Sequence, residues 1–382
     1  MTDRLDYAIV GGGPAGLAVG LLAALAGRRA VVIERKHGPV DKACGEGLMP
    51  PGVAWLEQMG VDLEACRGRA FRGIRYVDGD VTAQAAFVEG PGLGIRRTAL
   101  SAAMRSRAVS LGVEIRDGCE AGAFVEHPDH VVLETATGPV ESRWLVGADG
   151  LHGRVREACG FAVTGGSRRR FGMRRHFAVE PWSDFVEVHW ADGVEAYVTP
   201  VGRDSIGIAF LWSAGADHRA DYDAFLARFP RLRVRLGSAA RSPETSVRGA
   251  GPFEVRVQAI ARGRVLLVGD AAGYLDAITG EGLSLAFASA AALVEATGRE
   301  EASAYPRAWA RIRRQHIVFT RLVLWMADRP WLRRHVIRAL SHRPRVFRAC
   351  LALNTGAWSF PRPGTGNSDG PGRCFDPGHR PI

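Results

Sequence analysis

Three glycines, Gly11, Gly13 and Gly16, stand at GxGxxG spacing, with Pro14 and Ala15 filling the turn, between a short apolar run, Tyr7 to Val10, and an apolar stretch, Leu17 to Ala26, of helical composition. Each glycine answers a separate need of a bound dinucleotide: a tight turn, close approach of a pyrophosphate to the backbone, and close packing of helix on strand. Amides left unpaired at the start of such a helix face the phosphate charge. A second apolar run, Ala30 to Ile33, delivers Glu34 about twenty residues after the turn, with Arg35 beside it. A carboxylate at that place accepts hydrogen bonds from an adenosine ribose. A glycine turn alone is a common way to start a helix; strand, turn, helix, strand and acid in register point to a dinucleotide site.

Two further acids occupy comparable positions. Asp149 lies in GADG, after the apolar stretch Ser142 to Val146, and Asp270 follows the run Arg264 to Val268 in GDAAGYLDAITGEGL. Both are expected at carboxyl ends of strands, the edge where open α/β sheets bind ligands. The TGEG turn then opens a long small-residue helix near Gly282, whose first amides favour negative charge. Arg97 stands at the entry to a helix expected from Thr98 to Leu111, within reach of a phosphate or adenine, although single arginines are usually solvated. Cys44 and Glu46 belong to a glycine-punctuated loop, Cys44 to Gly47, whose small residues would admit a planar ring. His176 and His189 lie in expected strands, where packing is the commoner role.

The elements that must position these residues fall into two patterns. Apolar runs alternating with helices mark an α/β unit, and Pro50 and Pro51 mark a break before a helix from Val53 to Met59. Phe71 to Glu89 reads as a hairpin turning at Asp78 to Asp80, and strands over 170–179, 185–190, 195–200 and 205–212 form a meander suited to one wall of a pocket. Beyond residue 300 the chain is helical, Arg-rich and amphipathic, which leaves open a helix covering the core or a peripheral contact with a membrane surface. Residues 361–382 are too rich in Pro and Gly to pack.

The formal net charge is +10, yet lysine occurs only at Lys36 and Lys42, a skew that reads as coding bias rather than as a patch. No basic and aromatic module for nucleic acid is present. The six cysteines, Cys44, Cys66, Cys119, Cys159, Cys350 and Cys374, lack metal-ligand spacing, so no metal site and a reduced, cytoplasmic protein are expected. The first strand begins within a few residues of Met1, leaving no room for a signal peptide, and no apolar run approaches the roughly twenty residues of a bilayer span.

Taken together, GxGxxG with Glu34, GADG at Asp149 and GDAAGYLDAITGEGL at Gly269 to Leu283 resemble the aromatic-hydroxylase type (group A) of FAD-dependent monooxygenases and the related geranylgeranyl reductases. The likeness covers about the first 300 residues. It implies an α/β fold: a Rossmann-like FAD-binding domain (1–70, 94–167 and 258–300) interleaved with a mostly antiparallel β-sheet substrate domain (71–93 and 168–257), followed by C-terminal helices (301–360). By that resemblance the first motif holds the ADP half of FAD, Asp149 is linked to pyrophosphate and NAD(P)H use, and Asp270 binds the ribityl chain. Gly280, Gly282 and Leu283 would lie near the flavin pyrimidine edge, and Arg97 matches an arginine that contacts the cofactor. Cys44 and Glu46 are the candidates for catalytic polar groups near the ring. The activity implied is NAD(P)H-dependent hydroxylation of an aromatic or polyketide-like small molecule through a flavin C4a-hydroperoxide. CGEGL around Cys44 looks more like the reductase branch, which saturates alkenes of a prenyl lipid or quinone. Gly273 and Ala277 depart from the His and Pro usual in the hydroxylases.

Overall fold

A computed structural model describes residues 4–161, 163–165, 169–214 and 221–355; the Pro- and Gly-rich stretch from 361 onward and Cys374 lie outside the described residues. Ten helices are described: α1 (Pro14–Leu25), α2 (Pro50–Gln58), α3 (Arg97–Ser110), α4 (Arg154–Ala158), α5 (Tyr222–Ala227), α6 (Pro230–Leu236), α7 (Gly282–Gly298), α8 (Tyr305–Ala327), α9 (Pro330–His342) and α10 (Pro344–Thr355).

The opening stretch folds as strand Leu5–Val10, helix α1 and strand Ala30–Glu34, and the two strands pair in parallel. They sit in an eight-stranded sheet whose main path runs Ala261–Arg262, Val265–Leu267, Val140–Gly147, Leu5–Val10, Ala30–Glu34 and Glu114–Asp117. Its central pairs are all parallel. Parallel strands covered on both faces need near-continuous apolar sequence, and AVVIE is buried at every position. Strands Ala121–Glu126 and Val131–Thr135 hang from the Val140–Gly147 strand as an antiparallel extension. Helix α1 packs on α7, and both are rich in Ala and Gly, which lets their backbones come close to the sheet.

A seven-stranded sheet stands opposite, in the order Arg248–Ala250, Arg170–Phe177, Ile206–Ser213, Val194–Pro200, Phe185–Ala191, Gly73–Asp78 and Val81–Ala86. It is antiparallel except where Phe185–Ala191 runs parallel to Gly73–Asp78. The 73–86 hairpin thus joins a sheet made mainly a hundred residues later. Alternation along Phe185–Ala191 sends Val186 and Val188 toward the cavity described below and Glu187 and His189 to the far face. On that far side Phe210, Trp212, Tyr222, Phe225 and Phe229 form an aromatic cluster under α5 and α6.

Several boundaries differ from the sequence reading. Pro50 and Pro51 do not break the chain before a helix but begin α2, the place in a helix where proline loses no hydrogen bond. Helix α6 also starts on a proline, and the strict alternation of charged and apolar residues in RLRVR hides it in the sequence. Helices α8, α9 and α10 lie against α7 and the 73–86 hairpin, with His316, Thr320, Leu324, Ile337, Phe347 and Leu351 turned inward.

Candidate functional site

The glycine turn is built as a cradle. A Cβ at Gly16 would lie 2.0 Å from the Gly11 carbonyl oxygen, and one at Gly11 would lie 2.5 Å from that of Ala148. Gly11 also has φ +112°, a region that favours glycine. Gly13 differs: its nearest neighbour for a Cβ is Arg97 Nη2 at 3.9 Å, so open space lies over the turn. Gly13 caps α1 without a side chain, leaving the first amides of the helix free. Arg97, the first residue of α3, is buried, and its Nε has no partner among the described residues. A buried guanidinium with an open donor beside free helix amides is a place made for a phosphate. Glu34 closes the turn: its Oε2 accepts from the Gly12 amide at 2.7 Å and its Oε1 from the Lys36 amide at 2.9 Å. Each oxygen retains a lone pair for a ribose hydroxyl. Arg35 is exposed beside it on the rim.

Asp149 stands at the carboxyl end of its strand as expected, and its Oδ2 accepts from the Val155 amide at 3.0 Å, capping α4. Burial raises its pKa, and its Oδ1 has no partner among the described residues. Asp270 is half-buried and meets Lys42 Nζ at 3.3 Å. Gly280 takes φ +72° where the chain turns into α7, and Gly282 and Leu283 open that helix. All of these residues except Gly12 and Gly16 border one cavity of about 940 Å³ that continues from the glycine turn to the second sheet. At the far end the lining becomes apolar and aromatic: Tyr76, Phe87, Val188, Tyr197, Leu211 and Phe253, with Phe319 and Leu351 from the C-terminal helices.

Cys44 is half-buried on the cavity wall, and its sulfur lies 3.4 Å from the Glu46 amide. Glu46 is buried at φ +59°, and its carboxylate is fully engaged: Oε1 accepts from the Arg97 amide at 2.8 Å and lies 3.4 Å from Arg174 Nη2, while Oε2 meets His176 Nε2 at 2.5 Å. Arg174 can only donate, and its Nη1 lies 3.2 Å from His176 Nδ1. Nδ1 is therefore the acceptor, the proton sits on Nε2, and His176 is a neutral donor to ionised Glu46. Thr245 Oγ1, 3.0 Å away, completes the Nδ1 environment. Glu46 thus fixes the start of α3, and with it Arg97. The geometry makes it a positioning residue rather than a free acid or base. His189 pairs with Glu187 on the far face of the sheet, away from the cavity.

Sequence reasoning missed a second network. Arg170 forks onto Glu195 at 2.8 Å and onto Asp276 at 2.9 Å, all three buried. Burial opposes the Arg170 charge, and the two carboxylates outweigh it, so its pKa moves up. Asp276 Oδ1 in turn accepts from the Ile278 amide, and the Tyr197 hydroxyl donates to the Ile278 carbonyl at 3.0 Å. The 276–280 turn is therefore pinned to the second sheet at Asp276 and at Ile278. Charged residues in an apolar strand were the available signal, in RFGMRRHF and VEAYVTP.

This combination of a parallel sheet with a glycine cradle, an acid at the end of its second strand and a pinned turn at the head of a long helix defines a dinucleotide-binding flavoprotein architecture. The match to the FAD binding domain family extends over residues 4–299, and the chain belongs to that family. It is an FAD-dependent oxidoreductase. Among curated relatives, it is 26% identical over 336 residues to the menaquinone reductase of Mycolicibacterium smegmatis, covering 83% of this chain and 82% of the relative. It is 28% identical to the para-nitrophenol 4-monooxygenase of a Pseudomonas species, covering 77% and 78% of the two chains. A solved flavoprotein/dehydrogenase from Cytophaga hutchinsonii superposes with a TM-score of 0.81 at 18% identity, covering 93% of this chain and 94% of that one.

Proposed function

We propose that this protein is an NAD(P)H-dependent monooxygenase that hydroxylates a bulky aromatic or polyketide-like molecule. The observation that carries the reading is the continuity of one cavity from the glycine cradle to an aromatic wall, with room for a cofactor and an apolar substrate together. In this reading FAD supplies the redox chemistry when bound. The chain contributes binding and orientation: the α1 amides and Arg97 neutralise the pyrophosphate, Glu34 accepts from the ribose, and Asp270 takes the ribityl hydroxyls. The head of α7, at Gly282 and Leu283, stabilises negative charge at the pyrimidine edge. Tyr76, Phe87, Tyr197 and Phe253 exclude water around the substrate. A cytoplasmic location belongs to the same reading, since the five described cysteines are all unpaired.

A second reading, saturation of an alkene in a prenyl lipid or quinone, is favoured by Cys44 on the cavity wall and by the alignment over four-fifths of a menaquinone reductase. Oxygen uptake by the FAD-loaded protein with NADH or NADPH and a panel of aromatics separates the two. Substrate-dependent uptake with a product carrying one added oxygen atom is expected; substrate reduction in the absence of oxygen, with no such product, would replace the first reading by the second.

A further inference from the structure

The positive charge of this chain is concentrated in one place. Residues 305–355 hold twelve arginines and a single acidic residue, Asp328, whereas the whole chain nets only +10. Everything outside these three helices is therefore close to neutral. A coding bias toward Arg over Lys explains the choice of cation but not why α8–α10 hold so many arginines with only one acidic residue among them. Among the described residues, only Arg333 and Arg334 of the twelve lie within ion-pair distance of a carboxylate. Nine of the twelve, including Arg311, Arg314 and Arg321, are exposed.

The same outer faces carry exposed apolar side chains: Leu322 (58% exposed), Trp325 (48%) and Trp331 (66%) at the α8–α9 corner, with Val318 one turn before them and Leu353 on α10. A helix that sets Arg among Trp, Leu and Val matches the boundary of an anionic bilayer, where guanidinium groups meet phosphate and indoles sit at headgroup depth. A nucleic-acid face has no use for exposed aliphatics at this spacing. None of the described helices is long and apolar enough to cross a membrane, so the contact is a surface one. The helices also belong to the cavity: Phe319 of α8 and Leu351 of α10 line its apolar end, next to Val318 and close to Leu353 on the outer faces.

We propose that the outer faces of α8–α10 dock this protein on an anionic lipid surface, so that an apolar substrate passes from the bilayer to the cavity those helices wall. The substrate clause rests on reading the cavity as the site of an apolar molecule; the docking does not.

The test is co-sedimentation of the full-length, FAD-loaded protein with vesicles of phosphatidylcholine alone or with one-third phosphatidylglycerol. Binding to the anionic vesicles is expected, and the triple variant Arg311→Gln/Arg314→Gln/Arg321→Gln should weaken it at least about tenfold. A second triple variant, Leu322→Ser/Trp325→Ser/Trp331→Ser, should bind at low salt and come off at moderate salt, where the parent still binds. FAD content reports folding, and turnover on a water-soluble aromatic should be unchanged in both variants. Vesicle binding without such turnover would sink the catalytic reading and leave the docking standing. Equal vesicle binding by parent and both variants, or retention of duplex DNA with no retention of anionic vesicles, would overturn the docking.

Discussion

Gly13 and Gly16 sit three residues apart in one turn, yet a side chain added to each meets a different obstacle. At Gly16 the obstacle is the protein's own backbone; at Gly13 the space is open, and in the proposed site only the ligand would fill it. Gly13→Val should therefore leave the fold intact, with Tm of the apo-protein unchanged within a degree or two, while yielding colourless protein. Gly16→Val should lose both flavin and fold. Flavin absorbance read alongside thermal denaturation checks the pair, and stoichiometric FAD in Gly13→Val would remove the pyrophosphate from that turn. Arg97 faces the same open space over the turn. Because its Nε is buried without a partner, Arg97→Met removes a charge-assisted contact of about 2 kcal/mol and should weaken FAD retention some tenfold or more, measured by titration of the apo-protein. These glycines and Glu34 were legible in the sequence because backbone geometry leaves few alternatives at such spacing. Glu46 was legible only as a polar residue near the site. Its partners come from α3 (Arg97) and from the strand Arg170–Phe177 (Arg174 and His176), which no local pattern links to the Cys44–Gly47 loop.

Glu281 stands at the N-cap of α7, a buried carboxyl whose Oε1 accepts from Asn354 Nδ2 of α10 at 3.3 Å. Burial, with a smaller contribution from Glu89, pushes its pKa from 4.5 up to about 8, although the nearby Ser284 hydroxyl works to lower it. Above pH 4.5 the unfolded chain releases this proton while the folded one keeps it until about pH 8. Stability is therefore lost as pH rises through that window, by at most about 1.4 kcal/mol per pH unit, and is level above it. Glu281→Gln should remove this slope, so that its Tm gains on the parent between pH 5 and pH 8; a pH-independent difference would place an ordinary carboxylate at the cap. The turn before α7 depends on Arg170. Arg170→Met strands two buried carboxylates and should cost about 3–5 kcal/mol in urea denaturation. At this scale the strands and helices were legible from apolar runs and amphipathic spacing. The clamp was not, since RFGMRRHF looks like an exposed strand until Asp276, a hundred residues on, folds back onto it.

Across the whole molecule, the two sheets face each other over a cavity that both of them line, and the glycine turn on one side meets the pinned 276–280 turn on the other. FAD seated along that cavity would touch both halves and so would act as a tether in addition to a ligand. The chain order hid this arrangement: the 73–86 hairpin and the 170–213 meander form one sheet, while the nucleotide sheet draws strands from residue 5 to residue 267. Apolar runs located most of these strands, though not the short edge strands Arg248–Ala250 and Ala261–Arg262, and only long-range pairing, which leaves no local mark, assigned each to a sheet. Apo-protein should therefore be less stable than FAD-loaded protein by RT ln(1 + [FAD]/Kd), about 4 kcal/mol at a thousandfold excess over Kd. The distribution of that loss distinguishes a tether from a surface ligand. If FAD joins the sheets, removing it should broaden the calorimetric transition and loosen the aromatic wall, seen as increased tryptophan quenching at Trp190, a buried residue whose ring packs on Tyr76 of that wall, before the nucleotide sheet melts. If FAD contacts the glycine sheet alone, the apo-protein should unfold in one transition as sharp as that of the loaded form, only at lower temperature.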